Sequence, residues 1–134
     1  MNAELIGQSW DKLTGKHEEL VSTFYDRFFG EYPDYKSLFP GSMDRQMKKM
    51  LETMALLARV TEETEITHPH LERVGGKHTQ YQLGKQDLDN FKSVFLQVLG
   101  EYCAADWTTE CQQSWTEAFD KHVIPYMMRG LRQN

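Results

Sequence analysis

Cysteine and proline are scarce in this chain of 134 residues, with two of the first and four of the second. Two thiols, Cys103 and Cys111, are too few for a secreted disulfide framework. None is needed, because a chain of this length buries roughly two-thirds of its unfolded surface. A reducing, cytoplasmic compartment is therefore expected, with the two thiols unpaired. Long hydrophobic runs are absent as well. Nothing approaches the ~20 apolar residues of a membrane span. The opening Met-Asn-Ala-Glu-Leu has neither the basic nor the apolar region of a signal peptide. Positive charge is in deficit, with 15 Lys and Arg against 20 Asp and Glu and a net charge of -5. A nucleic-acid surface is not expected from that balance. There is no internal repeat and no low-complexity segment. The length suits a single domain over residues 1–134, with no room for an appended flavin or nicotinamide domain.

Apolar residues recur at helical spacing almost throughout, and no stretch alternates with a period of two. The class expected is all-α. Leu5, Ile6, Trp10 and Leu13 mark a first helix capped by Asn2. Leu20, Val21, Phe24, Tyr25, Phe28, Phe29 and Tyr32 mark a second, which must stop before Pro33. A short helical turn follows as far as Leu38-Phe39. Ser42 is placed to cap a third helix whose stripe is Met43, Met47, Met50, Met54, Leu57 and Val60. The polar stretch Thr61 to Thr67 should end it, and His68-Pro69-His70 reads as a corner. Leu71, Val74, His78 and Tyr81 share one face of a short helix. That helix is expected to be loosely ordered, because Gly75-Gly76 lowers its propensity. Leu88 to Tyr102 forms another helix. Thr108 caps a last one, which Pro125 should kink or end.

Three polar residues sit within apolar stripes. Gln46 lies three residues after Met43 and four before Met50, His78 lies between Val74 and Tyr81, and Tyr25 lies among Phe24, Phe28 and Phe29. Singly, each reads as a satisfied core residue, since an unpaired buried polar group costs about 1–3 kcal/mol. Together they suggest a cofactor. A lone imidazole makes a poor structural zinc site, but it suffices for heme, whose iron brings four ligands of its own. Seven Met and seven Phe supply large apolar side chains for a flat slot, although Met and Phe equally fill an ordinary core.

The same residues resemble a single-domain bacterial globin, of the group related to flavohemoglobin globin domains and to neuroglobin. Gln8-Ser9-Trp10, Phe28-Phe29-Gly30-Glu31-Tyr32-Pro33 with Leu38-Phe39, Gly75-Gly76-Lys77-His78 and Thr108 to Trp115 carry the likeness in order. The resemblance implies the globin fold, a 3-over-3 helical sandwich with a short or absent helix D, and heme b (iron protoporphyrin IX) as cofactor. It implies His78 as the iron ligand, with Tyr25 and Gln46 as the distal pair facing the bound gas. Met50 falls over the ligand, and Phe39 stacks on the heme. Lys49 and Lys77 stand where basic residues reach the propionates, and Leu83, Phe91 and Phe95 line the proximal side.

The implied function is reversible binding of oxygen, NO or CO at a five-coordinate iron, since no histidine holds the distal position. His70 is the residue weighed as a sixth ligand. The chain departs from the flavohemoglobin pattern on the proximal side. Leu88 stands where that group has a tyrosine, and Gly130 and Leu131 stand where it has a glutamate. This argues against a dedicated nitric oxide dioxygenase, which here also requires an external reductase. A gas-sensing module and a cofactor-free helical interaction domain are the remaining alternatives.

Overall fold

The computed structural model describes residues 2–38, 42–59, 64–77 and 83–132. Helix α1 (Ala3–Asp11) begins where the Asn2 side chain accepts the Leu5 N–H at 3.0 Å. Gly15, at φ +93°, takes the left-handed turn that leads the chain into α2 (His17–Glu31). The apolar stripe of α2 buries Leu20, Val21, Phe24, Tyr25 and Phe28. The helix ends ahead of Pro33, and a 3-10 turn (Pro33–Leu38) follows. Ser42 Oγ accepts the Asp44 N–H at 3.2 Å and starts α3 (Met43–Leu57). Then come α4 (Thr64–Lys77) and α5 (Lys85–Cys103). Thr108 Oγ1 accepts the Cys111 N–H at 3.1 Å and starts α6 (Thr109–Ala118). A π-helical turn (Phe119–Val123) connects it to α7 (Ile124–Arg132). No strand occurs among the described residues.

The helices pack in pairs: α2 on α3 and α5, α1 on α6, and α4 on α7. Helix packs on helix throughout, with no sheet among the described residues, which is the all-α architecture that the apolar periodicity predicts. Trp115, Phe24, Phe95 and Phe119 are the largest fully buried side chains. The Trp115 indole N–H donates to Ser9 Oγ at 2.8 Å, and Ser9 Oγ donates to the Ile6 carbonyl, so the buried polar atoms there are paired. Both thiols are free and buried, and burial pushes Cys103 up to about 11. They are inert at neutral pH.

The C-terminal half departs from expectation in three places. Residues 64–70 are helix, not a corner, and Pro69 lies inside α4 at an exposed position. Pro125 neither ends the last helix nor leaves it regular. The turn before it widens, with the Ile124 N–H bonded to the Phe119 carbonyl five residues back, which makes room for the proline ring. Finally, α4 runs through Gly75-Gly76 to Lys77. The two glycines are where α7 comes closest. A Cβ on Gly75 would stand 2.1 Å from the Met127 carbonyl oxygen. One on Gly130 would stand 1.9 Å from the Glu72 carbonyl oxygen. The expected cost in helix propensity is offset by a backbone-to-backbone crossing. Val60, His78 and Tyr81 lie outside the described residues.

A second contact fastens the same two elements. His68 of α4 and His122 of the π-turn share a hydrogen bond, Nε2 to Nδ1, at 3.0 Å. The His68 ring also stacks on Tyr126 at 3.8 Å, and the Arg129 guanidinium lies 4.4 Å from the Tyr126 ring centre. His122 is thus half-buried in an intramolecular pair. Burial first, then His122 and Arg129, hold the His68 pKa below its ordinary 6.5. The unfolded chain takes up a proton near that pH which the folded chain refuses. The contribution is present above pH 6.5 and lost as pH falls below it. His68→Phe keeps a stacking ring and should flatten the acid limb of stability in urea melts between about pH 5 and 7.5. An unchanged limb would contradict this account.

Candidate functional site

The packing of α2 on α3 brings Tyr25 and Gln46 together across 21 residues of sequence. Tyr25 is 4% exposed. Its hydroxyl donates to the main-chain carbonyl of Gln46 at 3.4 Å, and its ring packs against Phe24 and Phe29, both at 5.5 Å. Burial pushes the Tyr25 pKa up to about 12, so the group is a neutral hydrogen-bond donor at any physiological pH.

Gln46 and Met50 are successive residues on one face of α3, and both are half-buried. Met43, Met47 and Met50 pack against the core from its edge instead of filling its interior. Lys49 is exposed on the same helix. Phe91 of α5 is half-buried and touches Phe24 at 5.1 Å and Phe28 at 6.3 Å. Phe24 therefore links the Tyr25 side of α2 to the α5 side. Phe95 stands behind Phe91, fully buried against Trp115 and Phe119. Leu83 is half-buried just ahead of α5. His78 and Phe39 lie outside the described residues, as does the side chain of Lys77, the last residue of α4. His70 is exposed on α4. No group of three or more metal-ligating side chains occurs among the described residues.

Sequence reasoning missed one polar network near this region. Tyr35, Asp87 and Asn90 join the 3-10 turn to the start of α5. Gly84-Lys85-Gln86-Asp87 is a recognisable cap pattern, with an acid at the third helical position, and would have located one half of it. The partner Tyr35 carried no local signal.

A sequence model of the globin family matches residues 22–127, from within α2 into α7. The chain belongs to the globin family. It is 23% identical over 124 residues to an anaerobic nitrite reductase of Oryza sativa subsp. indica, covering 88% of this chain and 86% of the relative. It is 23% identical over 134 residues to an anaerobic nitrite reductase of Gossypium hirsutum, covering 89% and 82%. An uncharacterized globin-like protein of Aquifex aeolicus (strain VF5) is 24% identical over 102 residues, covering 76% and 72%.

Membership of the family implies heme and diatomic gas ligands. The described residues fit that group. Large apolar side chains on α2, α3 and α5 (Phe29, Met43, Met47, Met50 and Phe91) remain partly in water beside the core. A flat apolar ring system laid against them removes that exposure. The one buried hydroxyl among them belongs to Tyr25, a donor with no charge of its own.

Proposed function

We propose that this globin, as a single domain over residues 1–134, binds heme b through His78 and holds oxygen, NO or CO reversibly on the side guarded by Tyr25 and Gln46. The bound heme supplies a ferrous iron with one position open to a gas. The observation that supports the reading best is the buried Tyr25 hydroxyl, brought by α2 onto Gln46 of α3. A gas that draws electron density toward itself gains from a donor aimed at it, and gains more where water is excluded. Tyr25 stays protonated, and its ring is held by Phe24 and Phe29, so the donor is rigid. Gln46 adds an amide from a half-buried position on α3. Met50, one turn on, keeps the space over the ligand apolar. Phe39, Leu83 and Phe91 hold the ring system, with Phe95 backing Phe91 from the core, and Lys49 and Lys77 pair with its propionates. The distal pair is the part of this reading that follows the bacterial and flavohemoglobin pattern.

No histidine shares the distal face, so the ferrous protein without gas should be five-coordinate. His70, exposed on α4, then serves as a control: His70→Ala should leave that spectrum unchanged. The test of the distal assignment is Tyr25→Phe. A hydrogen bond to a partly charged acceptor is worth about 1.5–3 kcal/mol, so oxygen should leave the variant about tenfold faster or more. Carbon monoxide release should change far less. Equal oxygen release from both proteins would remove Tyr25 from the role. The plant relatives are named for nitrite reduction, so on that likeness nitrite belongs beside the three gases in assays of the ferrous protein. Turnover with nitrite, or with NO and oxygen, draws electrons from a separate reductase.

A further inference from the structure

The chain enters α5 through a cap that does more than a cap requires. Asp87 Oδ2 accepts the Gly84 N–H at 2.8 Å, which closes the first turn of the helix. The other oxygen, Oδ1, accepts the hydroxyl of Tyr35, 52 residues earlier in the chain. Asn90 Nδ2 donates to the same phenol oxygen at 3.0 Å, so the hydroxyl is used in both directions. The Tyr35 ring is itself fixed by stacking on Phe28 at 4.9 Å. Starting a helix needs only the Gly84 contact. The second contact, between half-buried groups, ties α5 to the 3-10 turn. What it joins is telling: Tyr35 stands four residues before Phe39, and Gly84 stands six after His78.

We propose that Tyr35 and Asp87 are positioning residues for His78. They act through Gly84, fixing the exit of the segment that carries the imidazole against the turn that leads to Phe39. The inference rests on the reading of His78 as the iron ligand. Groups that orient a metal ligand from behind are felt in how tightly and at what angle the metal is held, even where the fold survives their loss.

The experiment uses the full heme-loaded chain. Tyr35→Phe keeps the ring and its stacking and removes only the hydroxyl. In the unliganded ferrous variant, the iron–imidazole stretching band of the resonance Raman spectrum should shift. Ferric heme should pass to an excess of a heme-scavenging apoprotein about tenfold faster than from wild type. Asp87→Asn keeps an acceptor for Gly84 but removes the charge from the tether, so it should move both readouts the same way by less. It also carries the test alone should Tyr35→Phe not accumulate. The double variant should be no worse than the larger single one, because both break one contact. An unshifted band and unchanged heme loss, with only a lower melting temperature of the apoprotein, would mean that the network merely caps α5 and would overturn the proposal. Additive effects in the double variant would overturn it too. Absence of any iron–imidazole band in the wild-type protein is a different result, and it would overturn the His78 reading along with the proposal.

Discussion

Glycine at position 78 is expected to leave a protein that folds but no longer shows the ferrous heme spectrum of wild type, and added imidazole is expected to restore it. His78 is the proposed iron ligand, and the other four histidines stand elsewhere. The His17 ring stacks on Trp10 at 3.9 Å, and its Nε2 bonds the Trp10 carbonyl. His68 and His122 are occupied by each other. His70 is exposed on α4. His78 is the one that the sequence places on an apolar helical stripe, directly after a helix whose last turns are held against α7. Removing a residue that merely supports a metal ligand costs about 10–100-fold in affinity, and removing the ligand itself should cost more. The measurement is heme titration of the apoprotein followed by the reduced absorption spectrum, with and without imidazole. Wild-type spectra from the variant would transfer the role to another residue. His70→Ala, His68→Phe and His122→Phe would then identify which.

Much of the fold could be read from the sequence because its signals are local. Asn2, Ser42 and Thr108 each accept the backbone N–H that a cap requires. Pro33 ends α2 by restricting the residue before it, and the 3-10 turn follows. That Tyr25 and Gln46 are polar groups turned toward the core was legible for the same reason, since both interrupt apolar stripes at helical spacing; that α2 brings one onto the other was not local information. The first half of α4 was not. Its polar residues and Pro69 have the composition of a corner, and helix forms there because α4 lies along α7, a contact between residues roughly fifty positions apart. The His68–His122 pair and the glycine crossing depend on that same non-local contact. The widened turn before Pro125 is a compromise between two demands, the proline's need for room and the packing of α7 on α4. Tyr35 and Asp87 were missed because neither lies within an apolar stripe. Each is half-buried near the end of an element, where periodicity says least.

Alanine at Gly130 is expected to be among the most damaging single-methyl changes the chain can suffer, with alanine at Gly75 close behind. The new Cβ at 130 would lie 1.9 Å from the Glu72 carbonyl oxygen and 2.7 Å from the Gly76 nitrogen. At 75 it would lie 2.1 Å from the Met127 carbonyl oxygen. Overpacking against movable side chains costs about 1–3 kcal/mol. Here the obstacles are backbone atoms of the facing helix, so no rotamer change relieves them and α4 and α7 must part. A loss of about 3 kcal/mol or more is expected for each, out of a total of about 5–15 kcal/mol. Because both changes separate the same helices, the double variant should lose less than the sum. Gly7 and Gly30 provide the comparison, being helical glycines with nothing within 4 Å of an added Cβ. Alanine there should stabilise by about 0.5–1 kcal/mol, since it lowers the backbone entropy of the unfolded chain. Urea midpoints of the four single variants decide the matter. If Gly130→Ala proves as stable as Gly7→Ala, the close crossing does not exist in solution. The last turns of α4 would then lack their backbone support against α7.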